Sequence, residues 1–319
     1  MNPEARGGIT VYLEYLLAMA LAKSLLYLPS SLAYPLGEGL GALVYRLDRK
    51  HRVIAQENLG RAFNGQLSLG AIGRLTRSTF VNLGRTVVET CRIPRIDRDT
   101  FRQLILVQGY ENFHKAKDRG KGVIYITAHL GSWELLPVAS ALMGDPLNIV
   151  ARPLDNRYLD KAINDLRASW GTKVLAKKRA MPTLVGALHR GESVGILIDQ
   201  NITRKEGVFV DFFGLPACTA AAPALLALRT DASVLPAAIL RSGRNRHTIV
   251  VGEEIPLIRT GSLRADLVAN TAAFTRAIEA FIRREPAQWL WVHRRWKTQP
   301  LATRGQTERA TSVAPTNIT

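Results

Sequence analysis

Residues 122–142 read GVIYITAHLGSWELLPVASAL. An apolar run rich in β-branched and aromatic residues, 122–128, leads directly into His129. Leu130 and Gly131 supply a tight turn, Ser132 is a good helix N-cap, and Trp133-Glu134-Leu135-Leu136 opens a helix. Strand, tight turn and helix in direct succession form the repeating unit of a sheet flanked by helices. In open sheets of that kind, ligands sit beyond the carboxyl ends of the strands, which is where His129 falls.

The same alternation extends on both sides. Further strands are expected at 104–107, 147–151, 194–198, 208–212, 234–240 and 248–251. Helices are expected at 111–118, 132–142, 156–170, 180–189, 219–229 and 264–284. Several of the strands are near-continuous apolar runs, as strands covered on both faces require. Upstream, 51–64 and 69–92 read as helices, the second with Phe80, Leu83, Val87, Val88 and Cys91 at helical spacing. The fold class is therefore α/β: a central mostly parallel or mixed sheet covered by helices on both faces, preceded by an N-terminal helical membrane anchor.

That anchor is read from 9–28, ITVYLEYLLAMALAKSLLYL, which is long enough to cross a bilayer although Glu14 and Lys23 interrupt it. A second apolar stretch, 31–45, follows, and its Gly37, Gly39 and Gly41 suit close helix packing. A buried core helix is the competing reading of 9–28. Glu4 beside Arg6, with no small-residue cleavage site after the apolar run, argues against a removable signal peptide. Arg46, Arg49, Lys50 and Arg52 come next, and would hold the rest of the chain in the cytoplasm or sit among anionic headgroups. The expected division is 1–50 for the anchoring helices, 51–298 for an α/β domain and 299–319 for a polar tail without periodicity.

The chain has 319 residues, and 43 Lys and Arg against 26 Asp and Glu give a net charge of +17. The excess points to an anionic partner: nucleic acid, anionic lipid, or an acidic substrate or carrier. Cys91 and Cys218 lie in no metal-ligand spacing and suggest neither a disulfide framework nor a metal site. No P-loop, dinucleotide or G-x-S-x-G signature is present.

The spacing between His129 and Glu134 has a chemical use. With His129 in the turn and Glu134 in the first helical turn, the carboxylate is able to reach back to the imidazole. It would then hold one ring nitrogen as N–H and leave the other as a base. Amides of Gly131 and its neighbours at the helix start would face a developing oxyanion. For an isolated H-x4-E match, a capped helix beside a satisfied core histidine is the competing reading.

HLGSWE (129–134) resembles the H-x4-D/E motif of the lysophospholipid acyltransferase superfamily, and specifically the bacterial lipid A biosynthesis acyltransferase family. ENLGRAF (57–63), ARPLDNRYLD (151–160), LIDQN (197–201), GVFVDFFGLPACTAAAPALLAL (207–228) and PAQWLWVHRRWK (286–297) resemble further segments of that family, in order. The resemblance implies an O-acyltransferase of the bacterial inner membrane, with its active site on the cytoplasmic side. The donor would be an acyl thioester of acyl carrier protein or coenzyme A, and the acceptor a glycolipid hydroxyl, a lipid A precursor by default. It implies no cofactor, no metal and no nucleic-acid partner. His129 would be the base and Glu134 its orienting carboxylate.

Gly131 and Ser132 are taken as substrate-contacting residues, together with Arg152, Asn156 and Asp199. Arg152 follows a strand and would bind a phosphate or phosphopantetheine arm bidentately, or pair with Asp155 or Asp199. Asn156 would bind substrate or cap the next helix. Asp199 ends a strand and would position Arg152, touch substrate or form a structural ion pair. Ala151 stands where many relatives have an aromatic residue before the Arg-Pro pair. Trp289, Trp291 and Trp296 among basic residues suggest core packing combined with membrane contact. Other readings are a phosphatidylinositol mannoside acyltransferase, a lipid thioesterase or hydrolase, and a non-enzymatic basic protein binding membrane or nucleic acid.

Overall fold

The computed structural model of the protein describes residues 8–177 and 180–301. Most of the expected tail, from residue 302 onward, lies outside the described residues, as do Lys178, Arg179, Glu4 and Arg6.

Four helices come first: α1 (Gly8–Tyr27), α2 (Ser30–Leu47), α3 (Arg49–Phe63) and α4 (Leu69–Arg92). Sheet and helices then alternate through α5 (Arg98–Leu104), β1 (Ile105–Gln108), α6 (Tyr110–Asp118), β2 (Val123–Thr127), α7 (Leu135–Leu142), β3 (Leu147–Ala151) and α8 (Arg157–Ala168). The chain continues with β4 (Lys173–Ala176), α9 (Ala180–His189), β5 (Ser193–Leu197), β6 (Gly207–Phe212), β7 (Leu215–Ala220), α10 (Ala222–Thr230), β8 (Ser233–Gly243), β9 (Arg246–Val251) and α11 (Leu263–Arg284).

Seven strands form one sheet in the order β1-β9-β8-β2-β5-β3-β4. All neighbours are parallel except β8 and β9. The sheet is thus mixed and mostly parallel, as expected. Alternation along β2 divides the core: Ile124 and Ile126 face one layer with α9, α10 and α11, while Val123 and Tyr125 face the other with α5 and α7. Helices cover both faces, which explains why the central strands carry no polar side.

Three short elements escaped the sequence reading. β4 is a four-residue edge strand, too short to show a period. β7 contains Pro216 and small residues of low strand propensity, and pairing imposes its conformation. Phe213 and Gly214, both at positive φ (58° and 76°), make the two-residue turn that joins it to β6. The seven residues of α5 are started by Asp97, whose carboxylate accepts from the Thr100 amide at 2.7 Å. Because β7 takes 215–220, the helix expected from 219 begins at Ala222.

Among the described residues α1 is the one helix long and apolar enough to cross a bilayer, and only 6% of its apolar window is buried. Its core-helix reading is thereby disfavoured. Arg92 Nη1 donates to the carbonyls of Leu25 (3.0 Å) and Leu28 (2.6 Å) and closes its C-terminal end. α2 lies along α4 through glycines: a Cβ on Gly37 would come within 2.8 Å of the Gly84 carbonyl, and Gly41 faces the Phe80 backbone. Along α4 itself, Phe80 and Val88 are buried but Val87 is exposed, and the inner face carries Thr79, Asn82, Thr86 and Glu89. Gly84→Val is expected to push α2 off α4 and lower stability by about 1–3 kcal/mol, read as a lower thermal midpoint. An unchanged midpoint would show that the close approach is dispensable.

Candidate active site

β2 and β5 are parallel neighbours in register from Val123↔Ser193 to Thr127↔Leu197, and the ladder runs on through Ile198 N–H to the Thr127 carbonyl at 3.0 Å. The next residues on each strand are therefore side by side, and they include His129 and Asp199. Asp199 Oδ1 accepts from His129 Nδ1 at 2.9 Å, and Oδ2 accepts from the His129 amide at 2.9 Å and from Trp289 Nε1 at 2.7 Å. An ionised carboxylate only accepts, so Nδ1 carries the proton and Nε2 is left with its lone pair. About one fifth of the His129 side chain is exposed, against 1% of Asp199.

Burial works to raise the Asp199 pKa, but His129 and the three hydrogen bonds outweigh it and hold the carboxyl down at about 2. Burial likewise works against a charged His129. The Asp199 charge and hydrogen bond prevail, so its pKa lies above the ordinary value, with Glu134 adding in the same direction.

Glu134 does not reach the imidazole ring as a hydrogen-bond partner. Its carboxylate is held bidentately by Arg167 of α8, at 2.5 and 3.0 Å. The orienting contact expected of Glu134 is made by Asp199 instead, because the adjacent strand end is nearer the ring than the turn before α7. Arg167 was not singled out from sequence, since one arginine on the polar side of an amphipathic helix carries no motif. The bond that Trp289 gives Asp199 was missed for a similar reason: the sequence showed an aromatic-basic segment but not where it folds back.

The turn itself departs from expectation. Gly131 adopts φ +60°, its amide donates to the Gln288 carbonyl at 3.0 Å, and a Cβ there would fall onto the Ile239 carbonyl. Its N–H is thus not free for an oxyanion. Ser132 caps no helix. It is buried, its hydroxyl donates to Glu89, and the chain turns through Ser132–Leu135 before α7 begins at Leu135. The Gly131 amide and the Ser132 hydroxyl, both expected to contact substrate, are thus engaged within the protein.

Asn156 is used twice. Its Oδ1 caps α8 by accepting from Tyr158 and Leu159, and its Nδ2 donates to the Val11 carbonyl of α1 at 2.8 Å. Arg152 follows β3 on the same sheet edge as His129, is exposed, and makes no ion pair among the described residues. Neither Asp155 nor Asp199 takes it up.

The segment 286–297 straps the site. The Leu290 amide donates to the His129 carbonyl at 3.1 Å, beside the Gly131–Gln288 and Trp289–Asp199 bonds. Trp289, Trp291 and Trp296 are all buried (1%, 0% and 4% exposed), which bears out the core packing expected of them and leaves their rings little surface to offer a membrane. Arg295 is fully buried too, donating to the Cys218 carbonyl at 2.9 Å and to Thr219 Oγ1 at 2.5 Å.

Comparison with known proteins places the chain in a family. Residues 6–298 match the family model described as bacterial lipid A biosynthesis acyltransferase. The lipid A biosynthesis palmitoleoyltransferase of Escherichia coli K12 is 28% identical over 284 residues, covering 86% of this chain and 90% of that protein. The lauroyltransferase of the same organism is 26% identical, covering 86% and 88%. The phosphatidylinositol mannoside acyltransferase of Mycolicibacterium smegmatis is 26% identical over 226 residues, covering 70% and 72%. With a strand-end histidine on a mostly parallel sheet and a family match over nearly its whole length, the chain belongs to the bacterial lipid A biosynthesis acyltransferase family.

Proposed function

We propose that this protein is an O-acyltransferase that moves a fatty acyl chain from an acyl thioester to a hydroxyl of a glycolipid, with a lipid A precursor as acceptor. The observation that carries the reading is the His129 ring held at Nδ1 by a buried Asp199. His129 Nε2 takes the proton of the acceptor hydroxyl. The oxygen attacks the thioester carbonyl, the C–O bond forms, the C–S bond breaks, and the thiolate leaves to be reprotonated. Asp199 stabilises the imidazolium formed on the way. The amides that open the turn at Trp133 and Glu134, which have no acceptor among the described residues, suit the oxyanion. Glu134 contributes through its pairing with Arg167, and exposed Arg152 is available to the donor's or acceptor's phosphate.

The donor thioester belongs to acyl carrier protein or coenzyme A. The site works at the cytoplasmic face of the inner membrane, with 1–50 as the anchoring unit and 51–298 as the acyltransferase domain. Support for that placement is the exposed apolar surface of α1, with Leu13, Leu17 and Tyr27 at 53%, 73% and 75% exposure. The lipid A acceptor is preferred because the palmitoleoyltransferase and the lauroyltransferase each align over 86% of the chain, against 70% for the phosphatidylinositol mannoside enzyme of Mycolicibacterium smegmatis.

The test uses the full chain in isolated membranes, with radiolabelled acyl thioesters of both kinds. Tetra-acylated lipid A precursor and a phosphatidylinositol mannoside are offered in separate reactions. Label is expected on the lipid A precursor. Release of free fatty acid alone, with either acceptor present, would convert the reading to a thioesterase. Label on the mannoside alone would replace the acceptor.

A further inference from the structure

One feature of the family-like segment ENLGRAF has no part in the chemistry above. Asn58 Nδ2 donates to the carbonyls of Trp291 and His293, both at 2.7 Å, and so clamps α3 to the C-terminal strap. Between the two elements lies an open cavity of about 740 Å³. Arg49, Lys50 and Arg61 enter it from α3, and Arg294 and Lys297 from the strap, against the single carboxylate of Glu57. All six side chains are exposed, and none of the five cations forms an ion pair among the described residues. Elsewhere on this surface, Lys121, Lys177, Arg190 and Arg283 each have a carboxylate partner, and cations without one among the described residues, such as Lys205, Arg229 and Arg284, do not line this cavity. Five unneutralised cations converging on one concavity repel one another, and an anion in the cavity relieves that repulsion.

We propose that this cavity is a binding site for a phosphate group, separate from His129 and presented at the membrane surface. Guanidinium groups on both walls suit the several oxygens of a phosphate. Val53 lines the cavity, and the helix α2 that ends just before Arg49 carries Leu43, Val44 and Leu47 exposed at 47%, 47% and 75%. A cationic cavity that directly follows an exposed apolar helix end in the chain suits an anionic lipid, which offers a charged headgroup and an acyl chain together. A concave cavity of this size favours a headgroup over the convex face of an acidic carrier protein. The proposal does not rest on the acyl-transfer reading, since it concerns different residues and a binding readout.

The experiment is calorimetric titration of the full chain in neutral detergent micelles. Short-chain phosphatidylglycerol, inorganic phosphate and acyl carrier protein are titrated separately. The variants are Arg61→Gln/Arg294→Gln/Lys297→Gln and a charge-matched control, Lys205→Gln/Arg229→Gln/Arg284→Gln, whose residues are exposed outside the cavity. Saturable binding of phosphatidylglycerol is expected, weakened on the order of 10- to 100-fold in the cavity variant and little changed in the control. Binding of the lipid but not of inorganic phosphate assigns the site to a headgroup, and binding of both assigns it to phosphate from either source. No saturable binding of either, equal weakening in both variants, or loss confined to acyl carrier protein overturns the proposal. Because every substituted side chain is exposed, an unchanged thermal midpoint confirms that each variant is folded.

Discussion

His129→Ala is expected to lower kcat/KM for acyl transfer by roughly 10²–10⁴-fold with the fold intact, the usual cost of removing a positioned base. The ring is partly exposed and packs edge-on against Trp133 at 5.3 Å, so its loss leaves no large cavity. Asp199→Asn probes the same device from behind. An amide in place of the carboxylate removes the charge that favours the imidazolium and leaves the ring tautomer unspecified. A reduction on the order of 10⁴-fold is the precedent for that change in a serine protease triad. The two variants separate in their pH profiles. The base must be neutral, so the acid limb of kcat/KM lies at the His129 pKa, which Asp199 holds above the ordinary value. Asp199→Asn moves that limb to lower pH. Glu134→Gln, which acts on the ring only at a distance, moves it less.

The same shifts enter stability with opposite signs. The raised His129 pKa contributes stability below its unfolded value, which is lost as pH rises through the folded one. Asp199, held at about 2, contributes stability above its unfolded value, which is lost as pH falls toward 2. Thermal midpoints across pH should therefore fall on both sides of a mildly acidic maximum, less so in Asp199→Asn. Transfer by His129→Ala at the wild-type rate, or an acid limb unmoved by Asp199→Asn, would remove His129 as the base.

What could be read from sequence depended on whether the signal was local. The strand-turn-helix of 122–142 is local, so the position of His129 at a strand end was legible, and with it the α/β class. Gly37 and Gly41 of α2 were legible as close packing because only a residue without Cβ permits backbones to approach so closely, whereas Gly39, expected to do the same, faces open space. The partner of His129 was not legible. Asp199 lies 70 residues away and is brought alongside by the pairing of β2 and β5, which no spacing encodes. Glu134, at the suggestive spacing, was drawn instead to Arg167, 33 residues on. The tryptophans of 286–297 were legible as core, but the bond that Trp289 gives Asp199 was not, because it depends on the return of that segment across the His129 turn. Ser132 looked like a cap because serine before a helix usually is one. Its hydroxyl is claimed by a buried glutamate contributed from α4.

That glutamate carries the largest stability effect expected in the protein. Glu89 and Arg241 are each at most 3% exposed at the side chain and are joined bidentately, Nε to Oε1 at 2.7 Å and Nη2 to Oε2 at 2.6 Å. Arg241 also reaches Asn82 Oδ1 at 2.9 Å, while Glu89 receives the hydroxyls of Ser132 and, at 3.3 Å, Tyr34 of α2. Burial opposes the Glu89 charge, but Arg241 more than offsets it and keeps the carboxyl below its ordinary pKa. Glu89→Gln removes the counter-charge and leaves a guanidinium buried without one. The expected loss is about 3–5 kcal/mol, or roughly 6–20 °C in thermal midpoint. Arg241→Met strands the carboxylate instead and should cost a similar amount. The double variant Glu89→Gln/Arg241→Met buries no charge, so it should be more stable than the sum of the single losses implies. Losses that simply add would mean that the two side chains are independent. The single variants should also lose transfer activity beyond what unfolding explains, because the same carboxylate holds the turn that carries His129 and ties it to α2. A Glu89→Gln protein that melts lower but turns over normally when folded would confine this network to a structural role.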